Sequence, residues 1–194
     1  MEWDTLHKLQ YLYAYNTGLE KSLPPWRNVK SLRYVSLHHT QISGSLPPEW
    51  GQLESLERVR LYNTQISGTL PQDWKALRNL EFLKLHRTQL SGSLPPEWSE
   101  LRKLKYLSLS HTKVSGSLPP SWGAMSQMQY FILSDTQISG KLPVEYSNWT
   151  DVRDIGIAHC HLTGDIPEQW FTQMNKLNVL TLNDNALTGS VPLL

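Results

Sequence analysis

Apolar residues recur along the chain with a spacing that no single helix or strand accounts for. Leu53, Leu56, Val59, Leu61, Ile66, Leu70 and Trp74 are followed 24 residues later by Leu77, Leu80, Leu83, Leu85, Leu90, Leu94 and Trp98. Within the unit, Val59 and Leu61 alternate with Arg58, Arg60 and Tyr62, the period of two that marks a short strand with one buried face. Gly68 supplies a backbone position where a side chain would be awkward, and Pro71 bars a helix from starting at that point. The stretch "LPPEW" therefore reads as an extended or polyproline-like return, with at most a helical turn or two near "WGQLESL".

The period persists. Thr40, Thr64, Thr88, Thr112 and Thr136 stand 24 residues apart, and Trp50, Trp74, Trp98 and Trp122 keep the same offset, with Tyr146 next in their column. Units begin near Leu6, Val29, Leu53, Leu77, Leu101, Met125, Trp149 and Met174, and no linker or low-complexity segment separates them. Residues 1–194 therefore read as one domain. A unit this short cannot bury its own apolar residues, whereas stacked units share a continuous core. Each unit then gives one strand to a parallel sheet, and the rest of the coil serves as the crossover.

The unit L-x-x-L-x-x-L-x-L-x-x-T-x-ϕ-x-G-x-L-P-x-x-W, with ϕ aliphatic, resembles the leucine-rich repeat of the 24-residue class that carries "GxLP" or "GxIP" in its second half. That resemblance implies a right-handed, β-rich α/β leucine-rich repeat solenoid. Its concave side would be a parallel sheet of about eight short strands, its convex side extended or 3-10. The motif "TQ[IVL]SGSLPPEW" is most similar to the surface antigens and proteophosphoglycans of the trypanosomatid parasites Leishmania and Trypanosoma. Only "HLTGDIPEQW" (161–170) and "NALTGSVP" (185–192) lean toward plant receptor-type repeats. The antigens of that class carry Cys-bearing caps, which this chain lacks, so it reads as a fragment or a domain without full caps. In this repeat class an Asn usually sits at the Thr position and hydrogen-bonds the backbone of neighbouring turns. Thr17, Thr40, Thr64, Thr88, Thr112 and Thr136 are expected to do so through one hydroxyl each. Cys160 and Asn185 complete the column, which makes Cys160 a buried, unreactive thiol.

The strand positions that face outward vary from unit to unit. Read unit by unit, the first column is Tyr11, Tyr34, Arg58, Phe82, Tyr106, Tyr130, Asp154 and Val179. The second is Tyr13, Ser36, Arg60, Lys84, Ser108, Ile132, Gly156 and Thr181. The third is Tyr15, His38, Tyr62, His86, Ser110, Ser134, Ala158 and Asn183. The fourth is Asn16, His39, Asn63, Arg87, His111, Asp135, His159 and Asp184. Seven of the eight Tyr residues fall in these columns, together with five of the seven His. Tyr, His and Arg suit interface anchors and adaptable polar contacts, although any exposed sheet face favours aromatic residues. Cations cluster at Arg58, Arg60, Lys84 and Arg87, and acids appear only later, at Asp135, Asp154 and Asp184. The expectation is a protein partner, acidic where it meets the cations, with Tyr34, Tyr62, Phe82 and Tyr106 as anchors. The wider surface includes Tyr11, Tyr13, Tyr15, His38, His39, His86 and His111. Several histidines on one face also predict binding that shifts between about pH 5 and 7.

Other features change the picture less. Lys plus Arg number 18 against 17 Asp plus Glu, a net charge of +1, which argues against nucleic-acid binding driven by bulk charge. No run approaches the roughly 18 apolar residues of a membrane helix, and "MEWDTLHKLQ" lacks the order of a signal peptide. Cys160 is the single cysteine, so no intrachain disulfide or Cys-rich zinc site forms. The Trp column reads as packing on the convex return. "HCH" (159–161) is not expected to bind metal, because neighbouring strand residues face opposite ways; no metal or cofactor is implied. "NWT" (148–150) is a glycosylation sequon at Asn148. Ser108 or Ser110 beside His86 or His111 imitates a nucleophile and base, but a flat sheet offers no oxyanion hole, so no enzyme is expected. Three functions remain open: a cell-surface or secreted recognition and adhesion domain, an intracellular (cytoplasmic) interaction scaffold, or a carbohydrate-binding face.

Overall fold

The computed structural model of the chain describes residues 5–190; "MEWD" and "VPLL", which the repeat reading includes in the domain, lie outside the described residues. The alternating positions of each unit form a three-residue strand, and these strands pair in parallel, in chain order, into a sheet of eight: Tyr11–Tyr13, Tyr34–Ser36, Arg58–Arg60, Phe82–Lys84, Tyr106–Ser108, Tyr130–Ile132, Asp154–Gly156 and Val179–Thr181. The register is strict: Tyr34 stands beside Arg58, Val35 beside Val59 and Ser36 beside Arg60, and each later pair repeats it.

A second parallel sheet of eight lies just past the Thr column and was not expected. Its strands run from Glu20–Ser22 through Gln41–Ser45, Gln65–Thr69, Gln89–Ser93, Lys113–Ser117, Gln137–Gly140 and His161–Asp165 to Ala186–Thr188. "QISGS" hid this sheet because Ser and Gly are poor strand formers, while buried Ile or Leu at its second position anchors it. Its fourth position turns at φ of about +79° in Gly44, Gly68, Gly92 and Gly116. Copy one holds Lys21 there instead, at φ 74°, a conformation that strains any residue with a Cβ.

The return is tighter than the sequence suggests. Five 3-10 turns, Pro48–Gln52, Gln72–Ala76, Pro96–Glu100, Pro120–Ala124 and Val144–Asn148, and one α-helix, α1 (Glu168–Gln173), begin directly after the first prolines. The expected start near "WGQLESL" is therefore too late. Pro71 does not join the turn; it caps it in extended conformation, and Pro48 and Pro96 fill first-turn positions that need no N–H.

The core runs unbroken from Leu23 to Met174. Trp50, Trp74, Trp98 and Trp122 are fully buried, and their rings stack at 5.9–6.2 Å, nearly parallel. Trp26 extends the stack 4.9 Å from Trp50; the shortened "SLPPW" had disguised its place in the column. Tyr146 takes the next rung, and its hydroxyl donates to the Pro119 carbonyl at 3.2 Å. The Thr column is also buried, but its bonds are local. Thr40 donates to Leu37 O at 2.7 Å, within its own coil, and Thr64, Thr88, Thr112 and Thr136 repeat this. A hydroxyl on one short branch cannot span coils. Asn185 can: its Nδ2 donates to Ile157 O at 2.7 Å and its Oδ1 accepts from Leu162 N–H at 2.9 Å. Cys160 is buried in this column with Sγ 3.3 Å from Thr136 Oγ1.

Trp98→Ala is expected to destabilise the domain by about 3–5 kcal/mol, read as a lower denaturant midpoint; an unchanged midpoint would show that the column is not structural.

Candidate functional site

Strict register turns each variable position into a ladder across the first sheet. The third position gives the closest one. Tyr15, His38, Tyr62 and His86 stack face to face with centroids 4.6, 4.3 and 4.4 Å apart. A strand spacing of about 4.8 Å matches ring-stacking distance, so planar side chains in consecutive units pack like coins. The first position makes a mixed ladder. Arg58 Cζ lies 5.1 Å from the Tyr34 ring centre and 4.4 Å from that of Phe82, while Tyr106 and Tyr130 sit 5.5 Å apart. In the second position Lys84 Nζ rests 4.4 Å over Tyr106. Arg60 stands beside Lys84 in the same register.

The predicted residues therefore meet on one face, but not all are accessible. Tyr11, Tyr13 and Tyr15 are exposed; Tyr34, Arg58, Arg60, Tyr62, Phe82, Lys84, His86 and Tyr106 are half-buried. His38 is only 7% exposed, so it serves as a rung and not as a contact surface; Tyr15 and Tyr62 cover both faces of its ring. His39, Arg87 and His111 are exposed, and their whole column, from Asn16 to Asp184, adopts φ between 52° and 58°. That conformation favours Asn, Asp and His, so much of the fourth column's composition is set by the turn. The signal was in the sequence, since Asn, Asp and His fill seven of the eight positions.

Charge on this face divides sharply. Among the described residues, Arg58, Arg60, Lys84 and Arg87 have no carboxylate partner, and Arg58 Nε is buried without an acceptor. Burial and neighbouring Arg60 lower the Lys84 pKa. In the fourth column His111 lies 3.5 Å from Asp135, and His159 lies 3.4 Å from Asp184.

The two stacked histidines are held neutral. Burial, with help from Lys84, Arg87, His111 and His39, pushes the His86 pKa down from 6.5 to about 4. Burial, then His39, Arg60 and Lys84, lowers that of His38. Their Nδ1 atoms meet the hydroxyls of Ser108 (3.2 Å) and Ser36 (3.0 Å). The Ser108–His86 pair imitates a nucleophile and base only in distance. Ser108 is buried, and an imidazole of pKa about 4 is a weak base at neutral pH.

Elsewhere, Cys160 is buried between exposed His159 and His161. Among the described residues no group of three or more His, Cys, Asp or Glu could hold a metal ion, and no helix is long and apolar enough to cross a membrane. Asn148 and Thr150 are exposed at the end of a 3-10 turn, while Trp149 between them is fully buried and donates from its indole to Trp122 O at 3.0 Å.

The family model described as Leucine Rich Repeat matches residues 31–53, 79–101 and 103–125. No curated protein sequence matches the chain. Many solved structures do. A plant peptide hormone receptor, RGFR1, in complex with RGF2, is 28% identical over 97% of this chain and 30% of its own, with a TM-score of 0.95. The ectodomain of the Arabidopsis thaliana receptor kinase GASSHO1/SCHENGEN3, in complex with CASPARIAN STRIP INTEGRITY FACTOR 2, is 29% identical over 91% of this chain and 21% of its own (TM-score 0.88). The Arabidopsis receptor kinase HAESA, with the peptide hormone IDA and the co-receptor SERK1, is 27% identical over 95% and 35% (TM-score 0.77). The fold is thus a leucine-rich-repeat solenoid similar to plant receptor ectodomains, and the chain spans between 21% and 35% of those three receptor chains. The trypanosomatid class finds no counterpart among these matches.

The depressed His86 pKa has a consequence for stability. Between pH 6.5 and about 4 the unfolded chain binds a proton at this residue that the folded chain does not, so stability falls as pH drops through that window. The melting temperature is expected to fall accordingly, and His86→Phe, which keeps a stacking ring but cannot titrate, should flatten the slope. An unaltered slope would assign the effect to other groups.

Proposed function

We propose that the chain is a recognition domain that binds a protein partner through the outward face of its first sheet, at the cell surface or in secreted form, without catalysis. The observation that carries this reading is the set of four cations, Arg58, Arg60, Lys84 and Arg87, with no acid to balance them. Half-buried charges that lack a partner raise the energy of the free protein, and an acidic partner relieves them. The receptor structures above, solved with peptide ligands, support a protein partner. The ring arrangement disfavours a sugar, since neighbouring rings or cations cover the faces of Tyr62, Phe82 and Tyr106. Hydroxyls and ring edges remain for contact. The Thr ladder and the Trp after "PPE" keep the trypanosomatid surface antigens as the proposed origin, with host molecules as the partner class.

Two experiments test this reading. Wild-type domain and the Arg60→Glu/Lys84→Glu variant are used as matched baits on secreted and membrane proteins. The reading expects a partner retained by wild type, lost by the variant, and released as salt rises, with the two melting temperatures within about 3 °C. A partner held equally by both would move the site elsewhere. Expression through a secretory pathway should add one endoglycosidase-sensitive glycan at Asn148, absent in Asn148→Gln; a chain that passes through unglycosylated would remove that site.

A further inference from the structure

The outward face carries a second uncompensated charge, of opposite sign and at a defined distance from the first. Asp154 is half-buried, has no cation partner among the described residues, and has its pKa raised by burial. Its neighbours do not supply a partner. Lys176 is held by Asp151, Lys105 by Glu81, and the two exposed acids of the fourth column, Asp135 and Asp184, are met by His111 and His159. Lys84 is the matching case on the basic side, a half-buried ammonium with only an aromatic ring beneath it.

Three ladder steps separate the strand of Lys84 from that of Asp154, roughly 14 Å at about 4.8 Å per step. Between them lies a shelf. Tyr106 and Tyr130 wall it on one side, and the small residues Ser108, Ser110 and Gly156 leave its floor low. Ser110 adds a hydroxyl that is buried and has no hydrogen-bond partner among the described residues. A buried hydroxyl without a partner is costly, and here it opens toward the space between the two charges. An extended chain rises about 3.3 Å per residue, so four or five residues bridge the shelf.

Building on the proposed protein-binding face, we propose that this surface reads an extended, bipolar peptide segment of its partner, with an acidic side chain over Lys84 and a basic side chain over Asp154. The two charges fix direction as well as register, because a reversed segment would set acid against acid and base against base. Arg60 and Arg87 widen the basic end, and the orphan Ser110 hydroxyl meets the backbone of the crossing segment.

A displayed library of random decapeptides is panned against the wild-type domain and against a Lys84→Glu/Asp154→Lys variant that retains its melting temperature. Wild type should select peptides in which an acid and a base stand three to five residues apart in one fixed order, and the variant should select the opposite order. Asp154→Asn should weaken the wild-type-selected peptides about tenfold, the size of one partly desolvated ion pair. Selection of acidic peptides with no positioned base, or of the same order by both proteins, overturns the bipolar reading and leaves the protein-binding reading in place. Selected peptides that bind Arg60→Glu/Lys84→Glu as tightly as wild type overturn both.

Discussion

The solenoid depends on a single carbonyl used twice in each coil. Pro47 O accepts the backbone N–H of Trp50 in its own coil at 3.2 Å and the indole N–H of Trp74 in the next at 3.0 Å. Pro71 does the same for Trp74 and Trp98, and Pro95 for Trp98 and Trp122. The first bond closes the 3-10 turn that brings the chain round. The second fixes how far the next coil can shift or rotate, because a buried indole N–H needs an acceptor at one place. Without this clamp the apolar columns would still favour stacking but would not set its register. Where the column changes to Tyr146, a phenol reaches the equivalent carbonyl of Pro119 and keeps the tie.

Register fixed on the convex side decides the chemistry of the opposite face. Every outward residue meets its counterpart in the next coil at nearly one strand spacing, so neighbours in a column interact as if chosen in pairs. Planar residues stack, as in the Tyr15–His38–Tyr62–His86 series. Cations settle over rings, as Arg58 does over Phe82. A histidine drawn into such a stack loses water and its proton, so the charge of this face at neutral pH comes from arginine, lysine and aspartate alone. The face is thereby rigid, since each ring is held by two others, and a partner meets a surface with few rotamers left to freeze.

Much of this was legible in the residues. The 24-residue period, the buried leucines, the Trp column and the inward Cys160 all follow from spacing, because stacking forces each position to recur in one environment. The four outward columns align as spacing requires. Three things were not legible. The second sheet was masked by "QISGS", whose strand character comes from pairing with identical neighbours and not from intrinsic preference. The inward reach of Thr was overestimated, since family habit describes Asn, and only Asn185 has the length to bridge two coils. The burial of His38 depends on the flanking rings of Tyr15 and Tyr62, a contact between three coils that no single-unit pattern displays. Trp26 escaped for a simpler reason: a one-residue deletion in "SLPPW" shifts it out of phase in the sequence but not in space.

The distribution of ion pairs separates scaffold from surface. Between adjacent coils the chain pairs opposite charges readily: Arg27 with Glu49, Arg33 with Glu57, Glu81 with Lys105, and Asp151 with Lys176. All of these lie beside the strands or on the return, where exposed pairs contribute little energy each but remove like-charge repulsion. The same geometry was available at Arg58, Phe82 and Tyr106, or at Arg60, Lys84 and Ser108, where one glutamate would have neutralised the column. Instead Arg60 and Lys84 stand side by side with the same sign. Two like charges at strand spacing oppose folding, and the aromatic rings beneath them only partly offset that. A repeat that balances its charges everywhere except on one face has a use for the imbalance there, and that use is contact with something of the opposite sign.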